Sequence, residues 1–122
     1  MNRKRRILAV DDNPENNEII QEVLGDDYDI RTASTGEEAL KMAPDFQPDI
    51  ILLDVMMPGI DGYETCRQLR QHPRLKKTTV LMVTAKGELE ARIKGHEVGA
   101  DDYMSKPFSG EQLRESVDFF SQ

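Results

Sequence analysis

The chain has 122 residues, the size of one domain of about 100–150 residues, so a two-domain enzyme is not expected and a core can form without disulfide or metal staples. Acidic residues outnumber basic ones 23 to 16, for a net charge of -7, which argues against gripping duplex nucleic acid through its phosphates and leaves proteins or cations as the expected partners. With 32% charged and 38% hydrophobic residues, the composition is that of a globular protein rather than a disordered tail.

Apolar runs and helical patterns alternate along the chain. The first run, Ile7-Leu8-Ala9-Val10, is followed by Asn13 as a helix cap and Pro14 in the first turn. Ile19, Ile20, Val23 and Leu24 then share a face until Gly25 stops the helix. A second run, Tyr28-Asp29-Ile30-Arg31, alternates in polarity. Thr35 with Glu38 three residues on has the form of a capping box, and Ala39, Leu40 and Ala43 supply an apolar face that should end at Pro44. After the run Ile50-Ile51-Leu52-Leu53, the spacing of Tyr63, Cys66 and Leu69 predicts a third helix, from Gly62 to just before Pro73. The run Val80-Leu81-Met82-Val83 precedes a weaker fourth helix, supported by Leu89 and Ile93. Last come the short run Tyr103-Met104 and a fifth helix, capped by Ser109 with Gln112 in box position and striped by Leu113, Val117 and Phe120.

Runs of four apolar residues suit strands covered on both faces, and the alternating second and short fifth runs suit edges. Five strand and helix units in alternation imply an α/β domain with a parallel sheet and right-handed crossovers. No linker or low-complexity tract interrupts residues 1–122, and the domain is expected to have its core at about residues 5–120. Cys66 is the one cysteine and is expected in the core. With no signal-peptide pattern after Met1 to Arg6 and no apolar stretch of membrane-spanning length, it points to a reducing, cytoplasmic setting. His72 and His96 have no companions at metal-ligand spacing, and Arg3-Lys4-Arg5-Arg6 reads as a solvated leader.

In open α/β sheets, ligands bind beyond the carboxyl ends of the strands. The residues that directly follow the runs are Asp11-Asp12, Asp54, Thr84 and Ser105-Lys106-Pro107. If strands one, three, four and five are neighbours, three carboxylates, a hydroxyl and an ammonium converge on one edge. Carboxylates so placed repel one another unless positive charge is supplied. An all-oxygen ligand set calls for a hard cation, and Mg²⁺ fits a small site that keeps room for water and phosphate oxygens. Beside it, Asp54 could act as a carboxylate nucleophile toward phosphorus, with Lys106 and Thr84 binding the phosphoryl oxygens.

Val10-Asp11-Asp12, Asp54-Val55-Met56-Met57-Pro58-Gly59-Ile60-Asp61-Gly62, Thr84-Ala85, and Gly99-Ala100-Asp101-Asp102-Tyr103 with Lys106-Pro107-Phe108 together closely resemble the receiver domain of two-component response regulators. The resemblance runs from about Arg5 to Phe120. It implies a flavodoxin-like three-layer sandwich: five helices around a five-stranded parallel sheet of order 2-1-3-4-5, an order also known from a chemotaxis receiver. It implies that Asp54 accepts a phosphoryl group from a histidine kinase or histidine phosphotransfer protein. Asp12, Asp54 and the Met56 carbonyl would be Mg²⁺ ligands, with Asp11 acting through water. Thr84 matches a switch hydroxyl, Tyr103 a switch aromatic and Lys106 a phosphate-binding lysine, and the Lys106-Pro107 bond is expected to be cis.

Phosphorylation would then bias the surface of the fourth helix, fifth strand and fifth helix toward an output partner that the sequence leaves unidentified. A phosphorylation-linked dimer stays open, and neither direct nucleic-acid nor membrane binding is expected. In this family the residues two places after the phosphoacceptor and the switch hydroxyl influence how water reaches the acyl phosphate. Here they are Met56 and Lys86, which predict a longer-lived phosphorylated state than a carboxamide or carboxylate would give.

Three other functions compete. A flavin carrier should have a hydroxyl- and glycine-rich loop after strand one, where this chain has Asp11-Asp12-Asn13-Pro14-Glu15. A phosphatase resembling the haloacid dehalogenases should have an Asp two residues after its nucleophile, where this chain has Met56. A receiver-like module that binds its partner without phosphorylation usually lacks one of the key residues, and here all are present. Function has to be argued from the site rather than the fold.

Overall fold

A computed structural model describes residues 4–84, 93–94 and 96–121. Strands β1 (Arg6–Val10), β2 (Asp29–Ala33), β3 (Ile50–Asp54), β4 (Thr79–Thr84) and β5 (Asp102–Ser105) form one sheet in the order β2-β1-β3-β4-β5. Every pairing is parallel, with Ile7 opposite Ile30 and Ile50, Asp54 opposite Val83, and Thr84 opposite Ser105. The alternating second run and the short fifth run are the two edges.

Helices α1 (Pro14–Leu24), α2 (Gly36–Phe46), α3 (Gly62–Gln71) and α4 (Gly110–Phe120) cover the sheet, with a 3-10 turn at Pro73–Leu75. Leu8, Val10, Ile51, Leu53, Val80 and Met82 face the α2 and α3 side, where they meet Ala39, Ala43, Phe46, Cys66 and Leu69. Ile7, Ala9, Ile50, Leu52, Leu81 and Val83 face the other side, with Ile20, Leu24, Leu113 and Val117. Both faces of the inner strands are therefore covered, which is why their sequences are continuously apolar.

The expected count of five helices is corrected to four bounded ones among the described residues. The fourth predicted helix, around Leu89 and Ile93, falls largely outside those residues, although Ile93, Lys94, His96 and Glu97 are helical. The predicted fifth helix is α4. Its capping box is complete: Ser109 Oγ accepts from the Gln112 N–H at 3.0 Å, and the Gln112 side chain accepts from the Ser109 N–H at 2.9 Å.

Local expectations shift where tertiary contacts compete. Helix α2 runs through Pro44 to Phe46, because proline near a helix end forfeits only one hydrogen bond while Phe46 is buried against the sheet. Thr35 caps α2 through the Glu38 N–H, but the Glu38 carboxylate accepts from the Ser34 N–H instead of completing the box. Strand β2 starts one residue later than its pattern, since the Tyr28 N–H still bonds back to Leu24 in α1. The Tyr28 hydroxyl reaches Asp118 and Ser121 at the end of α4. Ile19, expected on the apolar face of α1, is 41% exposed.

Candidate functional site

The order of the sheet brings the C-terminal ends of β1, β3, β4 and β5 side by side, and the candidate residues sit on those ends. Carboxylate oxygens of Asp11, Asp12 and Asp54 lie within 4.8 Å of one another. Asp11 and Asp54 are buried and Asp12 is exposed. Lys106 Nζ reaches across from the end of β5 to Asp11 Oδ2 at 2.9 Å and Asp54 Oδ1 at 3.2 Å. Thr84 is buried at the end of β4, and its carbonyl accepts from the Lys106 N–H at 2.7 Å. The Lys106-Pro107 peptide is cis.

Backbone and side-chain bonds hold this arrangement. The Asp11 N–H donates to the Ala33 carbonyl and the Val55 N–H to Val83, so both acids are anchored in the sheet. Asp11 Oδ1 accepts from the Asn13 N–H at 2.9 Å, while Oδ2 accepts from Asn16 Nδ2 at 3.0 Å. Asn17 Nδ2 donates to the Asp11 carbonyl at 3.1 Å. Asp54 Oδ1 accepts a longer bond, at 3.4 Å, from the Met56 N–H.

Burial, and then the neighbouring charge of Asp11, push the Asp54 carboxyl from 3.8 up to about 6, against the pull of Lys106. Burial alone would lower Lys106, but its hydrogen bond to Asp11 and the charges of Asp54 and Asp11 outweigh that and raise it, so it stays a cation. One ammonium thus faces three carboxylates. The remaining negative charge and the all-oxygen donor set fit a hard divalent cation, and among the described residues Asp11, Asp12 and Asp54 form the one cluster of this kind.

The other candidates are placed as follows. Tyr103 is half-buried on β5 opposite Met82, two residues before the Thr84 register, and packs against the α2 and α3 core. The Met56 side chain is 74% exposed, and Lys86 lies outside the described residues. His72 Nδ1 caps the 3-10 turn by accepting from the Arg74 N–H, and His96 is exposed. Cys66 is buried, and burial pushes its thiol up to about 11. The sequence reading missed Asn16 and Asn17. A signal for Asn17 was present, because it falls on the buried stripe with Ile20 and Leu24, where an amide is costly unless bonded.

Comparison with known proteins extends these observations. The family described as response regulator receiver domain matches residues 7–118. The alkaline phosphatase synthesis transcriptional regulatory protein PhoP of Bacillus subtilis is 48% identical over 93% of this chain and 47% of its own length. The chain spans about half the length of the curated relatives it matches. Among solved structures, chemotaxis protein CheY4 of Vibrio cholerae superposes with a TM-score of 0.93 at 33% identity, over 97% of this chain and 99% of its own. The BeF3-activated receiver domain of DrrB, an OmpR/PhoB homologue from Thermotoga maritima, gives a TM-score of 0.87 at 34% identity over 98% of each chain. A match that runs through all five strands, with neighbours superposing over nearly their whole length, places the chain in the response regulator receiver domain family.

Proposed function

We propose that the chain is a phosphoacceptor that takes a phosphoryl group from a phosphohistidine, on a histidine kinase or a histidine phosphotransfer protein, onto Asp54. The observation that carries this reading is the Lys106 ammonium held 3.2 Å from Asp54 and 2.9 Å from Asp11 at the shared end of the strands. An Asp54 oxygen attacks phosphorus, the new O–P bond replaces the N–P bond, and the imidazole nitrogen keeps the electron pair. At neutral pH a carboxyl near 6 is mostly ionised and is held ready as the nucleophile. Lys106 exchanges a carboxylate partner for an oxygen of the transferred group, and Thr84 offers its hydroxyl to another.

Asp12, Asp54 and the Met56 carbonyl would hold Mg²⁺ directly, and Asp11 through water. When bound, the ion supplies the positive charge that offsets the carboxylates and the phosphoryl oxygens. Movement of Thr84 toward those oxygens frees Tyr103 to turn inward. That biases the surface made by the segment around Ile93, β5 and α4 toward its output partner or toward a dimer.

The module signals rather than turning over a substrate. PhoP's description as a transcriptional regulatory protein favours an output in transcription, and the net charge of -7 argues that this segment does not itself grip DNA. Among the described residues no helix is long and apolar enough to cross a membrane.

Intact mass after incubation with Mg²⁺ and acetyl phosphate tests the reading. The expected result is a single phosphoryl addition, lost with chelator and in Asp54→Asn. No addition to a folded parent chain would replace it with a phosphorylation-independent binding module.

A further inference from the structure

Helix α1 grips Asp11 with two consecutive asparagines. Asn17 fixes its backbone carbonyl, at 3.1 Å. Asn16 Nδ2 donates to Asp11 Oδ2 at 3.0 Å, the same oxygen that accepts from Lys106 Nζ at 2.9 Å. The Asn13 N–H holds the other carboxylate oxygen. The donors from residues 13, 16 and 17 thus restrain three different atoms of Asp11. Intrinsic preference does not account for an asparagine at 16, because it is a poorer helix former than alanine. Asn16 is also half-buried with its amide turned to the acidic cluster.

The two donors on Asp11 Oδ2 differ in what they can do. Lys106 is charged and long, and also touches Asp54. On the functional reading above it turns toward a phosphoryl oxygen once Asp54 is modified. Asn16 is neutral, short and fixed in the first turns of α1, so it cannot follow.

The geometry points to Asn16 as a positioning residue of the acidic site. Its amide holds the Asp11 carboxylate in the orientation that serves a divalent cation, and keeps Oδ2 partnered when Lys106 leaves it. This inference rests on the reading of Asp54 as the phosphoacceptor. The residue type suits the task, since a cation at 16 would compete with the metal, a carboxylate would add to the crowded negative charge, and an aliphatic side chain would leave Oδ2 to Lys106 alone.

The test is a titration of the full chain with MgCl₂, followed by backbone amide shifts around Asp54, for the parent, Asn16→Ala and Asn16→Ser. Neither short side chain reaches Asp11. Loss of such a supporting donor should weaken Mg²⁺ binding about tenfold. The melting temperature should stay close to the parent's, because alanine is the better helix former. Mg²⁺ affinity within about twofold of the parent's in a folded variant would overturn the inference, since that is well short of the loss of a supporting hydrogen bond. Failure of both variants to fold would overturn it too, because Asn16 would then be a residue of the fold. A parent chain that binds Mg²⁺ but takes no phosphoryl group from acetyl phosphate would overturn the phosphoacceptor reading instead, a result visible in the mass of the parent alone.

Discussion

Gly62 lies directly against the backbone of Asp54. A Cβ at position 62 would stand 2.3 Å from the Asp54 carbonyl oxygen and 2.8 Å from the Val55 Cα, and the Gly62 N–H donates to the Val55 carbonyl at 2.8 Å. The start of α3 is thereby pressed onto the end of β3, and the loop between them closes over the strand that ends in Asp54.

Gly62→Ala should therefore act on stability and chemistry together. The methyl group meets backbone, which cannot rotate away, so the expected cost is about 1–3 kcal/mol. Urea unfolding measures it. Because the displaced atoms belong to Asp54, the rate of phosphorylation from acetyl phosphate should fall further than at a remote site of equal stability loss. An unchanged rate in the folded fraction would detach the contact from the chemistry.

The Asp54 carboxyl gives metal-free stability a pH dependence of defined sign. Below 3.8 it is protonated in both folded and unfolded chains. As pH rises through about 6, the native chain must bury a charge that the unfolded chain leaves in water. Its contribution is lost across that window, so stability falls as pH rises. Relative to the parent, Asp54→Asn should gain about 1–3 kcal/mol between acid and neutral solution in chelator. A difference that stays constant with pH would remove Asp54 as the source.

Arg70 ties together segments remote from the acidic cluster. From α3 it donates to the carbonyls of Leu75, Thr78 and Gly99 and pairs with Asp101 at 2.8 Å. The same Asp101 oxygen accepts from the Val80 N–H at the start of β4. Arg70→Ala should cost about 2–4 kcal/mol, because it strands several carbonyls and a carboxylate at once. Lys at this position should recover little, since one ammonium cannot span those partners. Thermal unfolding of both variants decides it.

On the phosphoacceptor reading, the lifetime of the phosphorylated state depends on the residue types two places after Asp54 and two places after Thr84. Met56 has no group to orient a water, and Lys86 could pair with the phosphate. Met56→Asn with Lys86→Glu should shorten the lifetime at least about tenfold, less than the roughly hundredfold at which fully positioned proton-transfer groups begin to contribute. Phosphoryl loss followed by intact mass is the measurement, and equal decay in parent and variant would remove both residues from the account.

The order of elements was legible from the chain alone, for local physical reasons. Continuous apolar runs at 7–10, 50–53 and 80–83 require cover on both faces, and they are the interior strands β1, β3 and β4. Asn13, Thr35 and Ser109 announce their helices because a capping side chain bonds within three residues of itself. The acids, the hydroxyl and the lysine were legible because each stands just past the end of an apolar run. Folding decided the rest through contacts between distant positions. Lys106 meets Asp11 across 95 positions, a pairing set by the sheet order and not by local pattern. The Tyr28 hydroxyl joins Asp118 across 90 positions, and buried Phe46 carries α2 past a proline that should have stopped it. Asn16 looked like any polar residue on a helix surface. Its partner becomes visible once β1 and α1 are folded, since a hydrogen bond depends on where two groups lie in space and residue type alone does not reveal that.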